Sequence, residues 1–431
     1  MPPRRSLRPL HLAETIAVGS ELLVGGRTDS NSLRIAEEFG RLGIGVRFKS
    51  IVGDDRKDIR TAVATAAGRA GLIVLTGGLG PTVDDCTREA ISDVTGRRLA
   101  LRKDAFDALK KRLAEWGRIP NAGQRRQAQI PDGATVIPNP VGSAPGFWMK
   151  WHGALLVSLP GVPWEMETML RHSVTPLLTS ELTRVRMRPS PITRLVFHTF
   201  GLPEAEVDAK IKGLVKPTTP VDLGLLASPT GVLVSLTTRP SPALSGPRLQ
   251  RLAEGVRSRL RDWLYAEGSE SMEEVVGRLL TTHRKTVAMA ESCTGGLIGH
   301  RLTQVPGSSA YVDRGVMCYS NQAKTDLLGV PPSLIERHGA VSAEVASAMA
   351  RGMRERSGVS VALSVTGIAG PGGGTPAKPV GLVYIGLDAE DGRSITKEYR
   401  FSGDRTVVKQ RASQAALDLL RRWLLERAEP A

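Results

Sequence analysis

The chain has 431 residues, 41% of them hydrophobic and 23% charged, so two to four globular domains are expected and wholesale disorder is excluded. A formal charge of +15 raises nucleic acid as a partner. That excess spreads as +6, +6 and +3 over residues 1–182, 183–269 and 270–431, and aromatics reach only 4%, so no row of base-stacking platforms is apparent. The three cysteines, Cys86, Cys293 and Cys318, cannot build a disulfide framework and lack metal-ligand spacing, which fits a reducing, cytoplasmic compartment. The apolar runs are about strand length, well below the roughly 18–20 residues of a membrane span, so a soluble protein is expected. Arg4, Arg5 and Arg8 lead into no apolar signal region, and the start reads as a short disordered lead.

In chain order, 15–19, 46–52, 72–76 and 154–159 are short apolar runs rich in β-branched residues and read as strands. Helical spacing appears between them at 30–42 and 55–69, with further helices at 87–94 and from Trp164. Alternating strands and helices predict a parallel sheet covered on both faces. Residues 183–269 are rich in proline and read as a small α+β module, with strands at 193–200 and 232–237 and helices at 204–214 and 248–264. From 270 a third pattern follows: helix 272–283, strand 286–290, helix 295–305, strand 315–319, helix 342–357, strands 359–365 and 380–387, and helix 404–427.

Two constellations carry chemistry. The first is TGGLGPTVDD at 76–85, a glycine loop between a strand and a helix. Glycines let backbone approach a ligand, and free N–H groups at a helix start attract phosphate. Asp84 and Asp85 suit Mg²⁺ on a diphosphate, or equally serve as N-terminal carboxylates of the helix. Two more strand ends carry glycines and acids, Gly19-Ser20-Glu21 with Asn31 and Gly53-Asp54-Asp55, and ligands of parallel sheets sit beyond such ends.

The second is AESCTGG at 290–296, which exposes Ser292 at a strand-to-helix turn whose N–H groups could hold an oxyanion. Tyr319-Ser320-Asn321-Gln322-Ala323-Lys324 offers a base, since a desolvated lysine can take a serine's proton. A helix-capping serine with a surface lysine is the plainer alternative. TGIAGPGGG at 366–374 follows another strand and matches neither a P-loop nor a strict GxGxxG. Arg405, at a helix start, is a fixed cation suited to a nucleotide phosphate. Cys293 rivals Ser292 as nucleophile, against a reading as buried filler.

These motifs resemble the CinA (competence/damage-inducible protein A) family over nearly the whole chain. GSELLVGGRTDSNS, VGDD, TGGLGPTVDDCTREA, PNPVGSAPGF and LPGVPWEM are similar to its molybdopterin-binding-like domain, and AESCTGG, GVMCYSNQAKTDLLGV, HGAVSAEVA, PAKPVGLVYI and FSGDR to its C-terminal domain. The resemblance implies an α/β protein of three domains: molybdopterin-binding-like (12–182), KH-like linking module (183–269) and amidohydrolase (270–431). No GxxG loop suited to clamping nucleic acid is found in the middle.

The resemblance further implies hydrolysis of nicotinamide mononucleotide to nicotinate mononucleotide and ammonia, with no metal. Its catalytic residues fall on Ser292, Tyr319 and Lys324, and its substrate contacts on Cys293, Thr294, Gly295, Gly296, Thr366, Gly367, Gly370, Gly372 and Arg405. A divalent-metal-dependent ADP-ribose pyrophosphatase is implied at the other end. There ADP-ribose falls on Gly19, Glu21, Asn31, Gly77, Gly78, Gly80, Pro81 and Thr82, and a metal such as Mg²⁺ on Asp54, Asp84 and Asp85. A homodimer is expected, with nucleic acid not favoured and no membrane partner. Two alternatives stand open: a nucleotide or pterin sensor in the N-terminal domain, and a DNA-associated protein acting through the basic middle module.

Overall fold

The computed structural model describes residues 9–187, 190–238 and 246–426, and the proposed leader, residues 1–8, lies outside them. The chain divides into two compact units. Among the described residues, one holds 9–187, 190–194, 217–221 and 237–238, and the other holds 195–216, 222–236 and 246–426.

The first unit is built on a six-stranded sheet. Its order is Gly45–Val52, Leu12–Val18, Leu72–Thr76, Ala154–Leu159, Gly146–Trp151 and Thr135–Ile137. The first four strands run parallel, and the last two pair antiparallel. Leu72–Thr76 and Ala154–Leu159 are buried along their whole length, as a strand covered on both faces must be. Side chains alternate between two cores: Ile73 and Leu75 pack with Ile59 and Val63, while Leu72 and Val74 pack with Ile35, Phe39 and Met166. Each such fully buried aliphatic side chain contributes roughly 1.5–3 kcal/mol.

The second unit contains two sheets. The middle module is four-stranded, in the order Val221–Ser228, Gly231–Thr238, Arg194–Thr199 and Leu264–Glu267. The C-terminal sheet runs Val312–Met317, Val287–Glu291, Val361–Gly367, Leu382–Ala389, Ser394–Arg400. Its first three strands are parallel and its last two antiparallel. Val287, Met289 and Leu363 pack with the helix Arg405–Leu425, whereas Ala288, Ala290 and Ala362 pack with Val345, Met349 and Met353 of Ala343–Ser357. Alanines on one face let that helix approach closely.

The expected parallel sheet is present as the four-stranded core of the first unit, and two antiparallel strands extend it. The added strands of the first unit lie at one edge, and the short Thr135–Ile137 has little apolar run to read. Ser394–Arg400 was likewise unexpected, because an outer strand with a mostly polar sequence carries little hydrophobic signal. The helix expected over 295–305 is confined to Leu297–Thr303. Gly295 and Gly296 are both left-handed, with φ of 61° and 90°, and hold the chain in a turn before the helix starts. The helix expected over 248–264 ends at Leu260, and a single tight turn at Arg261–Trp263 leads into a strand. Among the described residues, no helix is long and apolar enough to cross a membrane.

Candidate functional sites

Four parallel strands of the first unit end on one side of its sheet, at Val18, Val52, Thr76 and Leu159. Beyond their ends lies a cavity of about 600 Å³. Gly19, Glu21, Asn31, Gly77, Gly78, Gly80, Pro81, Asp54, Asp84 and Asp85, all expected at a nucleotide site, line it together. Gly77 (φ 106°) sits against the Val18 carbonyl where any Cβ would collide, so the loop requires glycine there. Its N–H donates to the Leu159 carbonyl (3.0 Å), tying the glycine loop to the fourth strand end. Asn31 donates from Nδ2 to the Gly161 carbonyl (2.8 Å). Its Oδ1 is buried without a partner among the described residues, an acceptor left for something not of the protein.

Thr82 is a correction. It does not line the cavity but holds Asp85, whose Oδ2 accepts from the Thr82 N–H (2.9 Å) and from its hydroxyl. The acids do not cap the following helix either. Thr87–Thr95 starts with Cys86 at its N-cap position and no side-chain cap. Asp55 is the true cap in this region, accepting from the N–H groups of Lys57 and Asp58, which hold its pKa below the usual carboxylate value. Asp54 accepts from the Ser20 N–H (2.8 Å), which joins the second and first strand ends. Hydrogen bonds from the Thr82 side chain and its own N–H hold Asp84 below the ordinary carboxylate range.

Among the described residues no three His, Cys, Asp or Glu side chains converge as a ready-made metal cage. Asp54, Asp84 and Asp85 stand on the cavity wall as separate oxygen donors, of which one or two could join a hydrated divalent cation. Sequence reasoning missed the fourth strand end, where Trp164 and Glu165 also line the cavity. The signal was present, since Pro160-Gly161 follows a strand as the other glycine turns do.

In the second unit, Ser292 follows the strand Val287–Glu291 and is 7% exposed. Lys324 lies on the inner face of the helix Asn321–Leu328, which Ser320 caps through the Ala323 N–H (3.0 Å). Its side chain is 1% exposed, and Nζ stands 3.2 Å from Ser292 Oγ. Nζ also donates to the carbonyls of Cys318 (2.9 Å) and Tyr319 (3.2 Å). Burial pushes the Lys324 pKa down. In the neutral amine the two carbonyls take both N–H donors and leave the lone pair for the serine hydroxyl. The plainer alternative, a surface lysine, is excluded by this burial. Helix capping by Ser292 is excluded too, because Gly296 holds the N-cap position of Leu297–Thr303 and the buried Glu291 accepts from the N–H groups of Ile298 (3.1 Å) and Gly299 (2.8 Å).

Tyr319 reaches Lys324 through its carbonyl, while its phenol accepts from Arg405 (3.0 Å). Arg405 also donates to the Gly370 carbonyl (2.9 Å), linking the glycine-rich loop to Tyr319. Gly372 is exposed on that loop with open space around it. Thr366 is buried and donates to the Ala340 carbonyl (2.8 Å), and a Cβ on Gly367 would strike Leu382 and Val383, which places both at the base of the loop.

Of the turn's N–H groups, Ser292 donates to Val365 (2.9 Å) and Gly295 to Ser292 (3.1 Å). Among the described residues, the N–H groups of Cys293, Thr294 and Gly296 make no such bond. Thr294 is fully buried, and its hydroxyl has no partner among the described residues. Cys293 is buried, and burial pushes its thiol up to about 12, far from a reactive thiolate. Lys409 was missed from sequence: its Nζ comes close to Gly295 from the helix Arg405–Leu425.

Fold and sites together define a multidomain α/β protein with one cavity at the strand ends of its first unit and a buried serine–lysine pair in its second. The profile described as "CinA C-terminal domain" matches residues 269–424, "Probable molybdopterin binding domain" 14–180, and "Damage-inducible protein CinA KH domain" 194–266. CinA-like proteins of Geotalea uraniireducens and Geobacter sulfurreducens are each 42% identical, over 412 and 414 residues. These alignments cover 95% of this chain and 97% and 98% of theirs. A solved structure, competence/damage inducible protein CihA from Agrobacterium tumefaciens, is 42% identical over 36% of this chain and 97% of its own, with a TM-score of 0.35. The chain belongs to the CinA family.

Proposed function

We propose that the second unit hydrolyses the carboxamide of nicotinamide mononucleotide, giving nicotinate mononucleotide and ammonia. The observation that carries this reading is the buried Lys324 amine set 3.2 Å from Ser292 Oγ. Neutral Lys324 takes the hydroxyl proton as Oγ attacks the carboxamide carbon. The N–H groups of Cys293, Thr294 and Gly296 hold the oxyanion, each donor typically worth about 3 kcal/mol. The C–N bond breaks, Lys324 returns the proton, and ammonia leaves a nicotinyl ester on Ser292. Water, deprotonated by the same amine, then hydrolyses the ester. Arg405, tied to Tyr319 and Gly370, sets a cation beside the glycine loop for the nucleotide phosphate.

The cavity of the first unit fits hydrolysis of the ADP-ribose diphosphate. Its volume and glycine turns suit a nucleotide. A divalent cation held by one or two of Asp54, Asp84 and Asp85 would neutralise charge on the diphosphate. The protein's own residues bind and orient: the glycine loop admits the phosphates, and Asn31 Oδ1 accepts from a ligand donor. Three free cysteines agree with a cytoplasmic enzyme, while the homodimer rests on family resemblance alone. The test is product analysis with nicotinamide mononucleotide and with ADP-ribose, each with and without EDTA. Ammonia release insensitive to EDTA and ADP-ribose cleavage abolished by it are expected. No ammonia from the first substrate refutes the reading of the second unit, and no cleavage of the second refutes that of the first.

A further inference from the structure

The acids lining the N-terminal cavity differ in what their oxygens already hold. Asp54 and Asp85 accept backbone N–H groups, and Asp29 accepts the Ser32 N–H (3.0 Å).

Glu165 is different. It lies in the first turn of the helix Pro163–Met169, on the cavity wall. Its one hydrogen-bond partner among the described residues is Asn139, whose Nδ2 donates to Oε2 (2.6 Å). Asn139 is itself fixed on three sides. Its Oδ1 accepts from the N–H groups of Val141 (3.1 Å) and Gly142 (2.8 Å), and Nδ2 also donates to the Ala144 carbonyl (2.9 Å). Gly142 carries no Cβ where one would strike the Glu165 carboxyl, so the loop closes on this side chain. One carboxylate oxygen is thus clamped, and the other has no hydrogen-bond partner among the described residues. Burial raises the Glu165 pKa, so its carboxylate accepts a proton more readily than a freely solvated one.

We infer that Glu165 is the general base of the N-terminal cavity, taking a proton from the water that attacks a diphosphate phosphorus. This rests on reading the cavity as a diphosphate hydrolase. The water oxygen forms the new P–O bond as one of its protons passes to the carboxylate. The bridging P–O bond breaks, AMP and ribose 5-phosphate leave, and the proton is released to solvent.

The test uses the full-length protein with ADP-ribose and added Mg²⁺, following AMP formation. Glu165→Gln can keep the Asn139 bond and removes the base, so kcat falls about 100-fold or more while KM stays within about threefold. Glu165→Ala loses activity similarly, and formate restores at least about tenfold by supplying a small carboxylate in the vacated space. A Glu165→Gln enzyme within about threefold of the wild-type kcat overturns the inference alone. So does a Glu165→Ala loss that formate does not relieve, the mark of a residue that merely pegs the Asn139 loop. If the wild-type protein leaves ADP-ribose intact, the reading of the cavity fails and the inference with it.

Discussion

The N-terminal cavity and the C-terminal serine–lysine pair both lie past strand ends of mixed sheets, yet they are built on opposite principles. The cavity is a wall of partly solvated acids, of which Asp54 and Asp85 accept backbone N–H groups. The pair is almost dry, and burial lowers the pKa of its one basic side chain. A site that collects negative charge suits a cation-assisted reaction at phosphorus, and a site that discourages charge suits a lysine acting as base. On the proposed reading, one sheet plan carries two chemistries through the dielectric of its loops.

The sharpest break between the two comes from Ser292→Ala, which should cut ammonia release from nicotinamide mononucleotide at least about a thousandfold. The same variant should leave ADP-ribose cleavage unchanged. Lys324→Met should approach the same loss and test the dry half of the contrast through pH. The active form is the neutral amine, so wild-type activity is lost as pH falls through the lowered Lys324 pKa. Between that value and the ordinary lysine value the unfolded chain holds a proton that the folded site does not. Stability therefore rises with pH across this window, and Lys324→Met should flatten that slope in urea titrations.

On the acidic side, Asp84→Ala should abolish metal-stimulated ADP-ribose cleavage without affecting ammonia release. Unchanged metal dependence would mean that Asp84 has only a structural part. A smaller effect is expected at Arg405→Ala, which should raise KM for nicotinamide mononucleotide about tenfold with a modest change in kcat. The smallest is Cys293→Ala, expected to keep ammonia release within about threefold and to cost roughly 1 kcal/mol of stability for a small buried side chain.

The buried strands and their glycine turns were legible because they are locally encoded: Leu72–Thr76 and Ala154–Leu159 begin and end where the apolar runs do. Ser292 and Lys324 were legible as residue types at strand ends, but their 3.2 Å approach depends on the pairing of Val287–Glu291 with Val312–Met317, a long-range fact. Glu165 escaped for a related reason. Its environment is made by Asn139, 26 positions away, and nothing in PGVPWEM announces that partner. Thr82 and Thr366 show what residue type at a glycine loop does not reveal, since in the fold their hydroxyls are engaged by Asp85 and by the Ala340 carbonyl. The sheet edges were missed because strands such as Ser394–Arg400 carry little apolar pattern.

The most direct test of the account is ammonia release from nicotinamide mononucleotide by wild-type, Ser292→Ala and Cys293→Ala proteins in EDTA. Activity in the wild type and the cysteine variant, with none in the serine variant, is the predicted result. Retention by Ser292→Ala with loss in Cys293→Ala would make the enzyme a cysteine hydrolase and contradict the serine–lysine assignment.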